Sequence, residues 1–292
     1  MVDDAVSMTV DRAADAFGTL ADENRIAILL ALWNEQPLSF AGLQSAADFD
    51  DSGRFNYHLA QLLGRFVRKD DEQYRLRPAG GRAMDILFDE RFGEPPSPIE
   101  RDLETPCPDC GASLRASYED GHIEISCPAC SVVVHYGYFP PRGLASRDPE
   151  ELFLAYSRQL WRDFTLAASG VCPHCSGRMK THVTLDPDWY LDVATISVCQ
   201  HCRVEIGTPV GLRLLDDPAV VAFLADHGID IDQVPFWTLS FCLGDDSVSV
   251  EATEPLRIIV HIERDTDRLD VTLSGSGTVI ETALVEPRQS TP

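Results

Sequence analysis

The sequence predicts an α+β protein built from several small units, and three observations carry that expectation. Apolar residues recur at helical spacing over residues 10–92 and 149–169, eight of the nine cysteines fall in Cys-x-x-Cys pairs, and the final third runs apolar between turn signals. At 292 residues the chain is long enough for two or three compact units that need no disulfides.

The N-terminal part is expected to be short helices and tight turns. Residues 17–26 open a helix whose Ile26, Leu29, Leu30 and Trp33 are expected to form the buried stripe, stopped by Gln36-Pro37. Ser39 is placed to cap a short helix through Ala47, and after a turn at 48–51 Ser52 is the expected cap of a third helix over 53–64. In that helix Phe55, Leu59, Leu62 and Leu63 are expected to face inward, which leaves Arg54, Asn56, Tyr57 and Gln61 facing outward. These side-chain types reach base edges and phosphates, and a helix fits the major groove of DNA. Residues 66–69, a polar turn at 70–73 and residues 74–77 then read as a β-hairpin. Short helices followed by such a wing form the winged variant of the helix-turn-helix. Arg54, Asn56 and Tyr57 are the expected base contacts, Ser52, Arg68, Lys69 and Arg75 the expected phosphate contacts, and Gln61 and Arg77 complete the face.

Local charge agrees with that placement. Residues 1–51 hold two basic and ten acidic residues, whereas 52–82 hold seven basic (Arg54, Arg65, Arg68, Lys69, Arg75, Arg77, Arg82) and three acidic. The competing explanation is a solvated, charged hairpin in a domain that docks proteins, since the same architecture serves both.

Three stretches carry a family resemblance: Leu20-Ala21-Asp22-Glu23-Asn24-Arg25-Ile26-Ala27-Ile28-Leu29, Pro37-Leu38-Ser39-Phe40 and Ser52-Gly53-Arg54-Phe55-Asn56-Tyr57-His58-Leu59. Over about residues 10–90 the chain resembles ArsR-type winged-helix regulators, especially those of halophilic archaea. The resemblance implies DNA binding as a homodimer, with the third helix as reader. It does not extend to metal sensing by the usual route, because no cysteine precedes Cys107 and the helix over 39–47 has no thiolate pair. His58, beside the buried face of the reading helix, is expected to pack or to touch phosphate.

A linker is expected at Gly93-Glu94-Pro95-Pro96-Ser97-Pro98. Beyond it, Cys107, Cys110, Cys127 and Cys130 have the spacing C-x2-C-x16-C-x2-C, and Cys172, Cys175, Cys199 and Cys202 repeat it with twenty-three residues between pairs, including a turn at Asp186-Pro187-Asp188. Each Cys-x-x-Cys turn aims two thiolates at one ion, so two zinc ribbons with one structural Zn2+ each are expected. Rubredoxin-type iron is the alternative ion, His174 and His201 are alternative ligands, and a redox dithiol would leave half of each set unused. A closed four-sulfur site leaves no open position for a substrate.

Between the ribbons a long helix is expected, capped by Asp148 with Pro149 and Glu151 after it, ending at Gly170, and burying Leu152, Tyr156, Leu160 and Phe164 with Phe153 and Trp161 beside them. A second helix runs from Asp217-Pro218 to Gly228. Strands are expected over 236–243, 256–263, 269–273 and 278–284, and the tail from Glu286 is expected to be disordered. Cys242 is expected to be a small buried hydrophobe. The divisions are thus 1–93 winged helix, 99–143 first ribbon, 144–210 linking helix and second ribbon, 211–286 C-terminal α+β region and 287–292 tail.

Composition bounds the function. Acidic residues outnumber basic ones 47 to 24, for a net charge of -23, and Lys69 and Lys180 are the only lysines. The excess acid reads as adaptation to a salty cytoplasm, or as that of an ordinary acidic protein. High salt weakens phosphate attraction, so base-edge and apolar contacts would carry more of any DNA affinity. No apolar run has the roughly 18 to 20 residues of a membrane span, and residues 1–10 carry Asp3 and Asp4 in place of a basic leader. No phosphate loop or nucleophile elbow is present, and acid pairs such as Asp85 and Asp89 read as a solvated helix face, so no enzyme is expected. The expected protein is a cytoplasmic, promoter-binding transcription regulator whose partners are double-stranded DNA and a second copy of itself. The runner-up is a transcription-machinery adaptor resembling basal factor E, which also joins a winged helix to a zinc ribbon and binds protein.

Overall fold

The computed structural model describes residues 10–88, 97–185 and 189–285. Four sequence expectations lie outside them: Asp89 of the acid pair with Asp85, the linker at 93–98 apart from its last two residues, the turn at 186–188 and the tail from Glu286. The chain divides into two units, Met1–Glu94 and Pro95–Pro292, each with a core of its own.

In the first unit α1 (Val10–Leu20) stops before Asp22, whose extended backbone and carboxylate start α2 (Glu23–Asn34). Asp22 Oδ1 accepts from the backbone N–H of Asn24 at 3.0 Å and of Arg25 at 3.2 Å, which satisfies two of the donors a helix start leaves open. Because α2 is apolar nearly all round, its period does not single out one face. The buried residues are Ile28, Leu29, Ala31 and Leu32, while Trp33 is 41% exposed and rests on Phe88 at 5.4 Å between ring centroids. The expected stripe of Ile26, Leu29, Leu30 and Trp33 is therefore corrected by about a third of a turn, with Leu29 common to both.

After β1 (Leu38–Ser39), the Ser39 hydroxyl accepts from Gly42 N–H at 3.2 Å and caps α3 (Phe40–Ala46). The cap of α4 (Ser52–Leu62) is Asp51 and not Ser52: Asp51 Oδ1 accepts from Arg54 N–H at 2.5 Å, and Ser52 donates its hydroxyl to Gln44 Oε1 at 2.9 Å. A carboxylate here outcompetes a hydroxyl because it also meets the positive end of the helix dipole. Phe55, His58, Leu59 and Leu62 are buried, but Leu63 is 39% exposed, since the helix has ended and its backbone is extended. β2 (Val67–Asp70) and β3 (Gln73–Leu76) form an antiparallel hairpin turned through Asp71 in the left-handed region (φ 54°), and β1 pairs with the other edge of β3. α5 (Pro78–Phe88) closes the unit by packing Gly80 so tightly that an added Cβ would sit 2.4 Å from the Phe66 carbonyl oxygen.

The second unit begins with a four-stranded antiparallel sheet, β4 (Ile99–Pro106), β5 (Ser113–Glu119), β6 (His122–Ser126) and β7 (Val133–Tyr138), in sequential order. A short α6 (Pro141–Ala145) leads to α7 (Pro149–Ala168), whose start is a complete capping box of Asp148 and Glu151. Its spacing buries Leu152, Phe153, Tyr156, Ser157, Leu160, Phe164 and Ala167. A three-stranded sheet follows, β8 (Met179–Leu185), β9 (Val193–Cys199) and β10 (Glu205–Pro209), with β9 in the middle. A 3-10 turn (Val210–Leu214) then precedes α8 (Pro218–Asp226), which Asp217 caps.

The stretch 236–243, expected as a strand, is two 3-10 turns, Phe236–Thr238 and Ser240–Cys242. Phe236, Trp237, Leu239, Phe241, Cys242 and Leu243 are all buried, and a short continuous apolar run carries no period that separates strand from helical turn. The sheet that ends the unit is a meander of β11 (Val248–Thr253), β12 (Leu256–Arg264), β13 (Asp267–Ser274) and β14 (Val279–Val285), of which β11 was not expected. One core cluster runs from Cys107 to Leu273 and joins both regions flanking α7 with the C-terminal sheet, while Ala167, Cys172, Met179 and Cys199 form a separate small cluster.

Two consequences are measurable. Gly211 is buried against the Phe241 backbone, where an added Cβ would fall 1.7 Å from a carbonyl oxygen, so Gly211→Ala should lower stability by about 3 kcal/mol or more in denaturant unfolding. His135 is enclosed by the rings of Tyr156, Phe164 and Phe236, and burial depresses its pKa to about 4. The unfolded chain then takes up a proton near pH 6.5 that the folded chain refuses until about pH 4. Stability should fall by roughly 3 kcal/mol as pH is lowered through that window, and His135→Phe should flatten the profile.

Candidate metal centres and basic face

Four knuckles build two sulfur clusters. In each, the residue after the second cysteine turns into the left-handed region: Gly111 (φ 75°), Ser131 (φ 65°), Ser176 (φ 58°) and Arg203 (φ 66°). Only Gly111 announces this in the sequence. Gly111, Ser131 and Ser176 donate their N–H to the carbonyls of Cys107, Cys127 and Cys172 at 2.8–2.9 Å, so each turn closes on its own first cysteine. Further backbone N–H groups point at sulfur: Asp109 at Cys107 Sγ, Gly177 at Cys175 Sγ, and His201 and Cys202 at Cys199 Sγ, all at 3.4 Å.

Cys107, Cys110, Cys127 and Cys130 bring their Sγ atoms within 4.8 Å of one another, as do Cys172, Cys175, Cys199 and Cys202. The closest approaches across the knuckles are 3.7 and 3.5 Å in the first cluster and 3.7 and 3.6 Å in the second. A tetrahedral ion with metal–sulfur bonds of about 2.3 Å requires sulfurs about 3.8 Å apart, so both donor sets fit. Each cluster can hold one metal ion, two in all. His174 and His201 are exposed and belong to neither set. The backbone N–H of Cys130, with that of Ala129, holds the Cys127 thiol down at about 7, and those of Cys202 and His201 hold the Cys199 thiol at about 6. Gly177, which sequence reading passed over, leaves room for the second cluster: a Cβ there would lie 3.1 Å from Cys175 Sγ and 3.3 Å from Cys199 Sγ.

On the first unit, Arg54, Asn56, Tyr57 and Gln61 of α4 are exposed, and Ser52 is exposed at its start. Arg54 donates to Asn24 Oδ1 at 2.8 Å and lies over the Phe49 ring at 5.9 Å. On the hairpin Arg68 pairs with Asp70 at 3.1 Å and Lys69 with Glu72 at 3.1 Å, and Glu72 raises the Lys69 pKa. Arg77 donates to the Gly64 carbonyl, and Arg75, half-buried, makes no ion pair among the described residues. Sequence reasoning missed this internal pairing, which is too local for charge counting to reveal. Exposed pairs of this kind contribute little, so their cations remain available to a stronger anion. His58 is buried, with Nδ1 3.4 Å from Asp22 Oδ1 and its ring between Phe49 and Tyr57.

A family described as Domain of unknown function (DUF7351) matches residues 104–279, more than half of the chain. The chain belongs to that family. The DUF7351 match takes in both cysteine clusters, α7 and the first three strands of the C-terminal sheet. A second family, Domain of unknown function (DUF7347), matches residues 13–87, which hold the basic face. No curated protein matches the chain, and no solved structure does.

Elemental analysis of the purified DUF7351 chain should find two metal ions per chain, and Cys127→Ser or Cys199→Ser should each reduce that to one. Because ligand thiols must be deprotonated, acidification should release the metal, and the loss should track falling pH rather than rising pH.

Proposed function

We propose that this chain is a sequence-specific, DNA-binding transcription regulator in which α4 reads the major groove and two four-cysteine clusters hold structural zinc. The observation that carries the proposal is the division of α4: Phe55, His58, Leu59 and Leu62 are buried, while Arg54, Asn56, Tyr57 and Gln61 are exposed together. Arginine and asparagine are the side chains best suited to guanine and adenine edges, and the hairpin beside α4 in sequence adds Arg68, Lys69 and Arg75 for phosphates. Zinc suits closed four-sulfur sites that need no redox change. Homodimerisation through α1 is supported by its exposed apolar residues, Val10 at 84% and Phe17 at 66%, in a helix that buries none of its residues within the chain. Among the described residues no helix is long and apolar enough to cross a membrane.

Footprinting on fragments selected from genomic DNA tests the reader. Arg54→Ala with Asn56→Ala should weaken specific binding by about 100-fold or more, at unchanged metal content. Lys69→Gln should weaken binding to all sequences alike and lower the salt slope by about one unit. An unchanged footprint in the double variant would remove α4 from the interface, and co-purification with RNA polymerase without any preferred site would favour an adaptor instead.

A further inference from the structure

Beside the first cysteine cluster, the second unit contains a hollow of about 580 Å³. One wall is the first cysteine knuckle, through Cys107, Pro108 and Gly111, and the opposite wall is the outward face of β12 and β13. That size is typical of sites for small molecules. Strand alternation sends Ile258, Val260 and Ile262 of β12 into the core with Leu269, Val271 and Leu273 of β13, so His261 and Glu263 stand outward beside Arg268 and Asp270.

The charges on this wall do not pair as the register would suggest. Glu263 lies directly opposite Arg268, and His261 directly opposite Asp270. Arg268 turns along its own strand to Asp270, with Nε 2.9 Å from Oδ1 and Nη2 donating to Oδ2 at 3.1 Å. His261 Nδ1 lies 2.7 Å from the same Asp270 Oδ1, and its Nε2 is 3.0 Å from the Ser249 hydroxyl. Asp270 therefore holds a guanidinium and an imidazole in fixed positions. Glu263, opposite that guanidinium, makes no ion pair among the described residues, and neither does Asp246 on the same hollow.

We propose that this hollow binds a free α-amino acid. The ligand carboxylate meets the guanidinium N–H groups that Asp270 leaves uncommitted, and the ligand ammonium meets Glu263 and Asp246. Opposite charges set facing each other but not joined suit a ligand carrying both signs on adjacent carbons. A bare anion would meet two carboxylates, and a neutral polyol would leave those carboxylates without a counter-charge. Bound there, the amino acid is an effector of the regulator, and that clause alone rests on the function proposed above.

The test is calorimetric titration of the full, metal-loaded chain with each of the common L-amino acids, without DNA. At least one should bind saturably, Arg268→Gln and Glu263→Gln should each weaken it about tenfold or more, and its amide and its decarboxylated amine should fail to compete. Glu263 is exposed, so Glu263→Gln is read even if Arg268→Gln loses metal or fold. Absence of binding by every amino acid, equal binding of the decarboxylated amine or of a polyol, or affinities unmoved by both substitutions would each overturn the site. Binding to the chain with no specific DNA footprint would leave the site standing and remove the regulator.

Discussion

Everything in the larger unit depends on the buried side of α7. Seven of its residues leave water, five of them large apolar or aromatic side chains, for a transfer free energy of the order of 10 kcal/mol as an upper estimate. The same side supplies a polar anchor: the buried Ser157 hydroxyl accepts from Phe236 N–H at 2.9 Å and fixes the start of the first 3-10 turn. The tight contact of Gly211 with the Phe241 backbone fixes the second turn. Those turns in turn present Trp237, Ser240 and Leu243 to the hollow beside the first knuckle. A helix that looks like a spacer between two cysteine motifs is thus the surface on which the unit is assembled.

Much of this was legible wherever one residue type has one dominant physical use. Asp148, Glu151 and Asp217 cap helices as their spacing indicates, and the eight paired cysteines group in fours as their intervals indicate. The errors fell where two residue types compete or a pattern has no period. Asp51 displaced Ser52 at the start of α4, α2 was too uniformly apolar to reveal its face, and residues 236–243 were too continuously apolar to separate strand from turn. Tertiary choices were not legible at all. Nothing in the order of residues says that Arg268 prefers Asp270 along its strand to Glu263 across it, or that α7 shares one core with sheets on both sides of it in sequence.

The acidic composition has a structural counterpart on the basic face. Arg54 is engaged by Asn24, Arg65 by Asp15 at 2.8 Å, Arg68 by Asp70 and Lys69 by Glu72. Arg65, Arg68 and Lys69 each sit beside a carboxylate, whereas Arg54 and Arg77 are held by neutral oxygens and Arg75 makes no ion pair among the described residues, so only part of the positive charge of this face is locally balanced. The balanced cations contribute less to the long-range field than the count of basic residues implies.

The two cysteine clusters differ in what lies behind them. Cys107 and Cys127 belong to the continuous core that runs to the C-terminal sheet, whereas Cys172 and Cys199 sit in a pocket of their own with Ala167 and Met179. Loss of an ion from the second would therefore loosen the end of α7 and the knuckles beside it, while β8 and β9 kept their hold on the main core through Val183 and Val193. Loss of the first would open the main interior to water, so a chelator would meet one dispensable clasp and one keystone.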